Sequence, residues 1–136
     1  MPCRFGLAQA RVPAKSWSVR TDLLDRLELA RLEIERRLDE TIPSRELAET
    51  ACMSVFHFIR LFRSTFGASP AQYRARRRLE AAEELLVLGH PVGWVAAAVG
   101  RTSTASFARD FHAHRGQSPK TFRNLGKERR GSAQEQ

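Results

Sequence analysis

Two arginines, Arg60 and Arg109, carry the most informative side-chain chemistry in this sequence. A guanidinium group can donate two hydrogen bonds to the O6 and N7 atoms of guanine, and such a contact discriminates between bases by roughly 1–3 kcal/mol. The two arginines are 49 positions apart and occupy the same place in two segments of similar sequence. They therefore predict two equivalent surfaces that contact nucleic acid.

Histidines and cysteines give weaker evidence for chemistry. His112 and His114 are separated by one residue and Cys52 lies far upstream, a spacing that matches no common zinc pattern. The sequence also lacks a recognisable Ser-His-Asp set, paired carboxylates or a glycine-rich phosphate loop. We therefore predict no metal, no cofactor, no catalytic residue and no enzyme activity. Cys3 and Cys52 are expected to remain reduced thiols.

The charge of the chain is strongly positive and unevenly distributed. The 136 residues carry a formal net charge of +8. Residues 1–21 contain four basic and no acidic side chains, residues 22–49 five basic and nine acidic, and residues 50–136 fourteen basic and six acidic. Lysine and arginine displace counterions condensed on phosphates, so this distribution favours a nucleic-acid partner. A basic protein without a nucleic-acid role is the alternative.

Length and hydropathy limit the class of protein further. A chain of 136 residues, 42% of them hydrophobic, can form one compact domain or two very small ones. No apolar run approaches the roughly 18 residues that cross a bilayer, and the N-terminus lacks the apolar segment of a signal peptide. We therefore predict a soluble, intracellular protein with no membrane partner.

An internal repeat with an offset of 49 residues organises the second half of the chain. Eight of nine paired positions are identical, and the ninth exchanges one aromatic residue for another. The pairs are Ser54 and Ser103, Phe58 and Phe107, Arg60 and Arg109, Phe62 and Phe111, Gly67 and Gly116, Ser69 and Ser118, Pro70 and Pro119, Tyr73 and Phe122, and Arg74 and Arg123. Each copy has the order of a helix-turn-helix unit, whose second helix enters the major groove.

Apolar periodicity and capping residues predict an all-α fold of about seven helices, with a homeodomain-like arrangement. Thr21 is expected to cap the first helix and Ser44 the second, and Ser69 with Gln72 forms a capping box. The predicted divisions are a basic flexible arm (1–20), a first helix-turn-helix subdomain (21–69), a linker helix (70–89), a second helix-turn-helix subdomain (90–124) and a disordered tail (125–136).

Helical wheels separate an inward and an outward face on each predicted second helix, about 54–65 and 103–114. Phenylalanines define the inward faces. The outward positions are Phe56, His57, Arg60, Arg63 and Ser64 in the first unit, and Ala105, Arg109 and His112 in the second. A packing-only hairpin would more often carry Lys, Glu and Gln there, so these faces favour base recognition. The alternative is a basic helical protein-interaction module without sequence-specific DNA binding.

The predicted linker helix suggests how two units would act together. From Pro70 to Leu88 it would measure about 28 Å at roughly 1.5 Å per residue, comparable to one DNA turn of about 34 Å. One chain, as a monomer, would then read two successive major-groove segments. Arg78 is expected to brace this helix against a unit, and Arg76 to pair with Glu80. Trp94 is predicted to be a core residue, with a polymerase-facing surface as the alternative.

The repeat resembles the AraC/XylS family of bacterial transcription regulators from about residue 44 to residue 123. The matching positions include Leu47-Ala48, Met53-Ser54, Arg60-Leu61-Phe62, Gly67, Ser69-Pro70, Arg78-Leu79, Val95-Ala96, Gly100, Ser106-Phe107, Arg109, Phe111, Gly116, Ser118-Pro119 and Phe122-Arg123. The resemblance implies two helix-turn-helix units that bind promoter DNA and usually activate transcription through contacts with RNA polymerase. About 43 residues precede the first unit, so the chain resembles the short, stand-alone members, and a fragment of a longer regulator is the alternative. The resemblance also implies a cytoplasmic, nucleoid-associated bacterial protein.

The resemblance also implies roles for individual residues. It places base-reading residues at Phe56, Ile59, Arg60, Thr104, Ala105 and Arg109, and phosphate contacts near Ser103, Lys120 and Arg123. With the outward positions His57, Arg63 and His112, and with Ser106, these make up the candidate DNA-binding set. Two residues depart from the family pattern. Arg101 stands where an aromatic residue is common, and Ala105 where a polar one is common, so the second unit is expected to read sequence more weakly or pack less tightly.

Overall fold

The computed structural model describes residues 17–134, which form seven α-helices and no strand. The helices are α1 (Trp17–Arg36), α2 (Ser44–Thr50), α3 (Val55–Phe66), α4 (Pro70–Val87), α5 (Val92–Ala98), α6 (Thr104–Arg115) and α7 (Pro119–Gln134). The predicted all-α fold is confirmed. Most of the predicted flexible arm, with Cys3, lies outside the described residues.

The described residues divide into two compact units. The first contains the residues up to Arg37 together with Thr41–Arg74, and the second contains Leu38–Glu40 and the residues from Ala75 onward. The boundary therefore falls inside α4, which differs from the predicted division with a separate linker over 70–89.

The first unit is built around aromatic and aliphatic side chains from α1, α2 and α3, with Tyr73 from the start of α4. α1 packs against α2 and α3, and α2 packs against α3. Phe62 lies at the centre, with its ring centroid 5.5 Å from Phe58 and 5.8 Å from the edge-on ring of Tyr73. The other fully buried apolar residues of these helices are Leu27, Ala30, Ile34, Leu47 and Ala48. This core fixes the orientation of α3.

The second unit repeats the plan with equivalent residues. Phe107 and Phe111 of α6 are completely buried, and Phe122 of α7 contacts the Phe111 ring edge-on at 5.5 Å between centroids. The remaining buried residues of the cluster are Ala82, Leu86, Val95, Ala96 and Val99. Because Phe111 and Phe122 correspond to Phe62 and Tyr73, the duplicated sequence produces a duplicated core.

Arg78 is the one buried charged side chain among the described residues. Its Nε donates a hydrogen bond to the carbonyl of Leu38 (2.7 Å), and its Nη2 donates one to the carbonyl of Glu40 (2.8 Å). These bonds hold segment 38–40 against α4 within the second unit. The prediction that Arg78 braces the helix is confirmed, as is the pair of Arg76 and Glu80, whose charged atoms are 3.7 Å apart.

The predicted starts of α1 and α2 need correction. α1 begins at Trp17, so Thr21 lies inside the helix instead of capping it. No proline or glycine follows Pro13 before this point, so nothing in the sequence prevents the helix from extending towards the N-terminus. In α2 the N-cap is Pro43, whose carbonyl accepts hydrogen bonds from the N–H groups of Glu46 and Leu47. Ser44 is the first residue of the helix, and no side chain caps the helix start.

The prediction of a disordered tail from residue 125 is wrong as far as residue 134, because α7 continues to Gln134. The apolar period stops at Leu125, which made the segment resemble a polar tail. Gly126 supplies the missing contact, since its backbone lies against Val87: a Cβ there would be 3.5 Å from the Val87 Cα. The helix is thus supported by close backbone packing, which a reading of apolar side chains does not detect.

Trp94 is not a core residue, contrary to the prediction. It is 51% exposed and stacks on His90, with 4.2 Å between ring centroids. α5 buries Val95, Ala96 and Val99, and at about 100° per residue Trp94 lies on the opposite side of the helix. A seven-residue helix buries only one narrow face, and small residues occupy it.

Candidate nucleic-acid interface

The turn between α2 and α3 is held by backbone hydrogen bonds. Cys52 has a φ of 55°, in the left-handed region. Its N–H donates to the carbonyl of Glu49 (3.0 Å), and the N–H of Met53 donates to the carbonyl of Ala48 (2.9 Å). This pair of bonds is a Schellman C-cap, which ends a helix sharply and satisfies its last carbonyls. The turn therefore sets the direction in which α3 leaves.

The turn between α5 and α6 has the same geometry with glycine in the left-handed position. Gly100 has a φ of 83°, and it is 48 residues after Cys52. The N–H of Gly100 donates to Ala97 (3.0 Å), and that of Arg101 donates to Ala96 (2.8 Å). A Cβ at Gly100 would lie 2.2 Å from the carbonyl oxygen of Asp39, so only glycine fits here. The two units therefore have the same turn geometry, in addition to equivalent core residues.

Serine caps begin both of the candidate recognition helices. The Ser54 hydroxyl accepts from the N–H of His57 (3.3 Å), and the Ser103 hydroxyl accepts from the N–H of Ser106 (3.1 Å). Gly67 and Gly116 end α3 and α6 in the left-handed conformation. Each helix therefore has a defined start and stop, which gives its side chains a defined register.

The outward face of α3 is basic and partly aromatic. Phe56 is 88% exposed, so its ring is open to a partner. His57, Arg60 and Arg63 are also exposed, whereas Ile59 is half-buried. The 12 residues of α3 include no acidic side chain. The face thus combines an apolar side chain suited to a thymine methyl group with guanidinium groups suited to guanine or phosphate.

The outward face of α6 is smaller and less charged. Thr104, Ala105, Arg109 and His112 are exposed, as is the capping residue Ser103, whereas Ser106 is half-buried. Arg109 is the only one of the exposed four with a permanent positive charge. Both helices therefore expose an arginine at the equivalent position, but α6 surrounds it with shorter side chains.

Arg101 connects the second turn to α6 through contacts that the sequence analysis missed. Its Nη2 donates to the Ser106 hydroxyl (2.8 Å) and to the Asp110 carboxylate (2.6 Å). Arg101 thereby occupies the hydroxyl of one candidate DNA contact and neutralises the one acidic residue of α6. The residue that departs from the family pattern has a structural role here, and its nine-residue separation from Asp110 matches no regular spacing.

Two candidate phosphate contacts lie on α7. Lys120 is exposed in the first turn of the helix. Arg123 is half-buried, and its Nε is a buried donor without a hydrogen-bond partner among the described residues. Lys120 is thus freely available to an anion, whereas the Nε of Arg123 is closed to solvent and to an incoming phosphate.

A polar network that the sequence analysis did not identify holds α1 to the start of α4 in the first unit. The Tyr73 hydroxyl donates to Glu35 (2.7 Å) and accepts from Arg31 (3.0 Å). Burial raises the pKa of Tyr73, and the Glu35 carboxylate adds to the effect, while Arg31 opposes it. Hydrogen bonds from Arg31 lower the pKa of Glu28. The network keeps α1 in place behind the helix-turn-helix motif.

No group of three or more His, Cys, Asp and Glu side chains in the described part of the chain is placed to hold a metal ion. None of the helices within residues 17–134 is both long and apolar enough to cross a membrane. Cys52 has a free, half-buried thiol.

Comparison with known proteins gives consistent matches. A family model described as a helix-turn-helix domain matches residues 47–125. The probable transcriptional regulator LumQ of Photobacterium leiognathi is 32% identical over 102 residues, which cover 73% of this chain and 41% of LumQ. The chain thus spans less than half the length of this curated relative.

Solved structures share the fold over most of the chain. The DNA-binding domain of AdpA, a global transcriptional factor crystallised with a target DNA, is 30% identical with a TM-score of 0.72, covering 78% of this chain and 96% of that chain. A regulator with an AraC-type DNA-binding domain from Chromobacterium violaceum is 23% identical with a TM-score of 0.71, covering 76% and 93%. At 23% identity, the likeness to the Chromobacterium violaceum regulator concerns the fold alone.

Proposed function

This chain belongs to the AraC/XylS family of helix-turn-helix transcription regulators, and from that premise we propose that it binds double-stranded promoter DNA sequence-specifically. One observation carries the proposal. Phe56, Arg60 and Arg63 are exposed together on a capped helix that follows a tight turn. That arrangement is suited to a helix whose outward side chains meet base edges in the major groove.

We propose that the second unit contributes a second recognition helix, α6, so that one chain as a monomer reads two successive major-groove segments. Arg109 would make the base contact, and Ser103, Lys120 and Arg123 the backbone contacts. Because α6 offers one permanent charge on its exposed face and α3 offers two, the first unit would supply most of the base discrimination. The DNA site would then be asymmetric.

The test is selection of binding sites from a random duplex library with the whole chain, followed by fluorescence anisotropy at several salt concentrations. The proposal predicts one asymmetric consensus with two conserved blocks, and affinity that falls linearly with the logarithm of salt concentration. Equal affinity for the selected and the scrambled duplex would favour the alternative, a basic protein-interaction module. Two inverted half-sites would contradict the monomer.

We further propose that the chain activates transcription in the bacterial cytoplasm by contacting RNA polymerase, without any catalytic activity of its own. The exposed stack of Trp94 on His90 supports a protein-contacting surface on α5. In a reconstituted transcription assay, Trp94→Ala should reduce activation while anisotropy shows unchanged DNA affinity. Unchanged activation would remove Trp94 from the polymerase surface, and lost DNA affinity would assign it to the DNA interface instead.

A further inference from the structure

A cavity of about 260 Å³ lies in the second unit, lined by the end of α4, the end of α6 and one face of α7. For comparison, a dry apolar cavity of roughly 150 Å³ can hold a benzene molecule. Pockets for drug-sized ligands begin at roughly 300 Å³. The volume is therefore suited to a single ring or a short alkyl chain.

One side of the cavity is apolar. Val87, Phe122 and Leu125 contribute to it, and Val87 and Leu125 are each more than a third exposed. The Phe122 ring is held in place by its edge-on contact with Phe111, 5.5 Å between centroids. Phe122 thus anchors the apolar wall to the core, and Val87 and Leu125 extend the wall towards solvent.

The other side of the cavity is basic. Arg115, Arg129 and Arg130 contribute their side chains to its lining. The Arg115 guanidinium lies over the Phe122 ring, 5.3 Å from its centroid, and its Nε is 3.9 Å from a Glu83 oxygen. Within the described part of the chain, Arg129 and Arg130 have no acidic partner. The cavity therefore has a net positive charge beside an apolar wall.

The helical spacing of the lining residues supports a single built surface. Phe122, Leu125 and Arg129 are separated by intervals of three and four along α7, and Arg130 follows Gly126 by four, so these residues line one broad helix face. Gly126 lies on this face as well, and its backbone packs closely against Val87, which brings α7 against the end of α4 beside the cavity.

We propose that this cavity binds a small amphipathic carboxylate, with one aromatic ring or a short alkyl chain. The apolar part would rest on Phe122 and Leu125, and the carboxylate would accept charge-assisted hydrogen bonds from the arginines. A neutral ring would gain only the apolar contacts, and an inorganic anion only the charge. Since Arg115 is the last residue of α6, the ligand would contact the helix that carries Arg109. The inference does not depend on the proposed function.

The experiment is an NMR titration of the isotope-labelled whole chain with sodium benzoate and sodium octanoate. Benzyl alcohol provides the ring without the charge, and sodium sulfate provides the charge without an apolar part. We expect saturable shifts for at least one of the two carboxylates at the end of α6 and along α7, and binding of benzyl alcohol weaker by about tenfold or more. Absence of saturable carboxylate binding, or equal binding of sulfate, would overturn the proposal.

Variants separate the site from general electrostatic attraction. Arg129→Gln and Arg130→Gln should each weaken carboxylate binding several-fold. Lys127→Gln removes one positive charge from the same helix but not from the cavity lining, so it should weaken binding less than either arginine variant does. Far-UV circular dichroism verifies that each variant folds. If Lys127→Gln weakened carboxylate binding as much as the arginine variants do, the net charge of the helix would explain the binding, and the proposed site would be overturned.

The phosphate backbone of DNA is the competing partner for these arginines. If Arg129→Gln and Arg130→Gln instead lower the dependence of DNA affinity on salt, and neither carboxylate binds, the face is a DNA-backbone surface. That outcome would reject the ligand site and leave the proposed function intact.

Discussion

Arg101 donates a hydrogen bond of 2.6 Å to the Asp110 carboxylate, and this ion pair joins the turn of the second helix-turn-helix motif to the middle of α6. When the left-handed residues Cys52 and Gly100 are aligned, Arg101 corresponds to Met53, and at the repeat offset of 49 Asp110 corresponds to Leu61. An apolar pair in one copy of the repeat thus corresponds to an ion pair in the other. In the second unit, the unusual turn residue Arg101 is therefore held by an ion pair and not by apolar packing.

Removal of Arg101 should weaken DNA binding more than it weakens folding. In Arg101→Ala, Asp110 would keep an unbalanced negative charge on a helix proposed to face phosphates. The pair is partly exposed, so the stability loss should stay below about 1 kcal/mol. Anisotropy at low salt should show affinity reduced several-fold, and adding Asp110→Asn should restore it. Wild-type affinity of the single variant would show that Asp110 lies away from DNA.

Replacement of the two outward arginines should alter sequence preference. Arg60→Ala and Arg109→Ala should each cost roughly 1–3 kcal/mol of discrimination at one base pair, because each guanidinium is proposed to contact one guanine. Selection of binding sites with each variant measures this. Arg36→Ala, which removes a charge from α1, is the matched control. If both variants kept the wild-type consensus and affinity, the assignment of α3 and α6 to the groove would be wrong.

Lys120 should contribute affinity without specificity. In Lys120→Ala, all duplexes should bind more weakly by a similar factor, and the slope of log affinity against log salt should fall in magnitude by about 1, since one phosphate contact is lost. The measurement is a salt titration of the selected and of a scrambled duplex. An unchanged slope would exclude Lys120 from the phosphate contacts.

Stability of the first unit should fall at alkaline pH because of Tyr73. Its pKa is raised in the folded state by burial, so its contribution is fully present below the unfolded value of about 10 and is lost as the pH rises through the folded value. The chain contains one tyrosine, so tyrosinate absorbance reports this group alone. Urea unfolding of wild type and Tyr73→Phe should converge above pH 10. A constant difference would contradict the shift.

A matched pair of substitutions tests the two turns. Gly100→Ala places a Cβ 2.2 Å from the Asp39 carbonyl oxygen and in a left-handed backbone, so it should cost more than about 2 kcal/mol of unfolding free energy. Cys52→Gly relieves the left-handed strain of a non-glycine residue but adds freedom to the unfolded chain, so its net effect should stay within about 1 kcal/mol. Urea unfolding measures both. Similar losses would mean that the turns are not differently constrained.

Long-range polar contacts could not be predicted from the sequence. Tyr73 bonds to Arg31 and Glu35, which are 42 and 38 residues away, and Arg101 reaches Asp110 across a turn. None of these pairs has a helical spacing or a motif. Their existence depends on which helix faces meet, and that is settled by packing of the buried aromatic residues. The same reason explains Trp94, whose exposure depends on which side of α5 the core covers.

The sequence by itself determined the repeated helix-turn-helix plan and its outward arginines. Serine caps, left-handed glycines and phenylalanines three or four residues apart are local signals, since each acts through backbone geometry within one or two turns of helix. The tertiary structure decided the extent of α7, the ion pair between Arg101 and Asp110, and the basic cavity beside Phe122. These features join residues that are distant in the chain, and their stability comes from burial and charge pairing that exist only once the helices have packed.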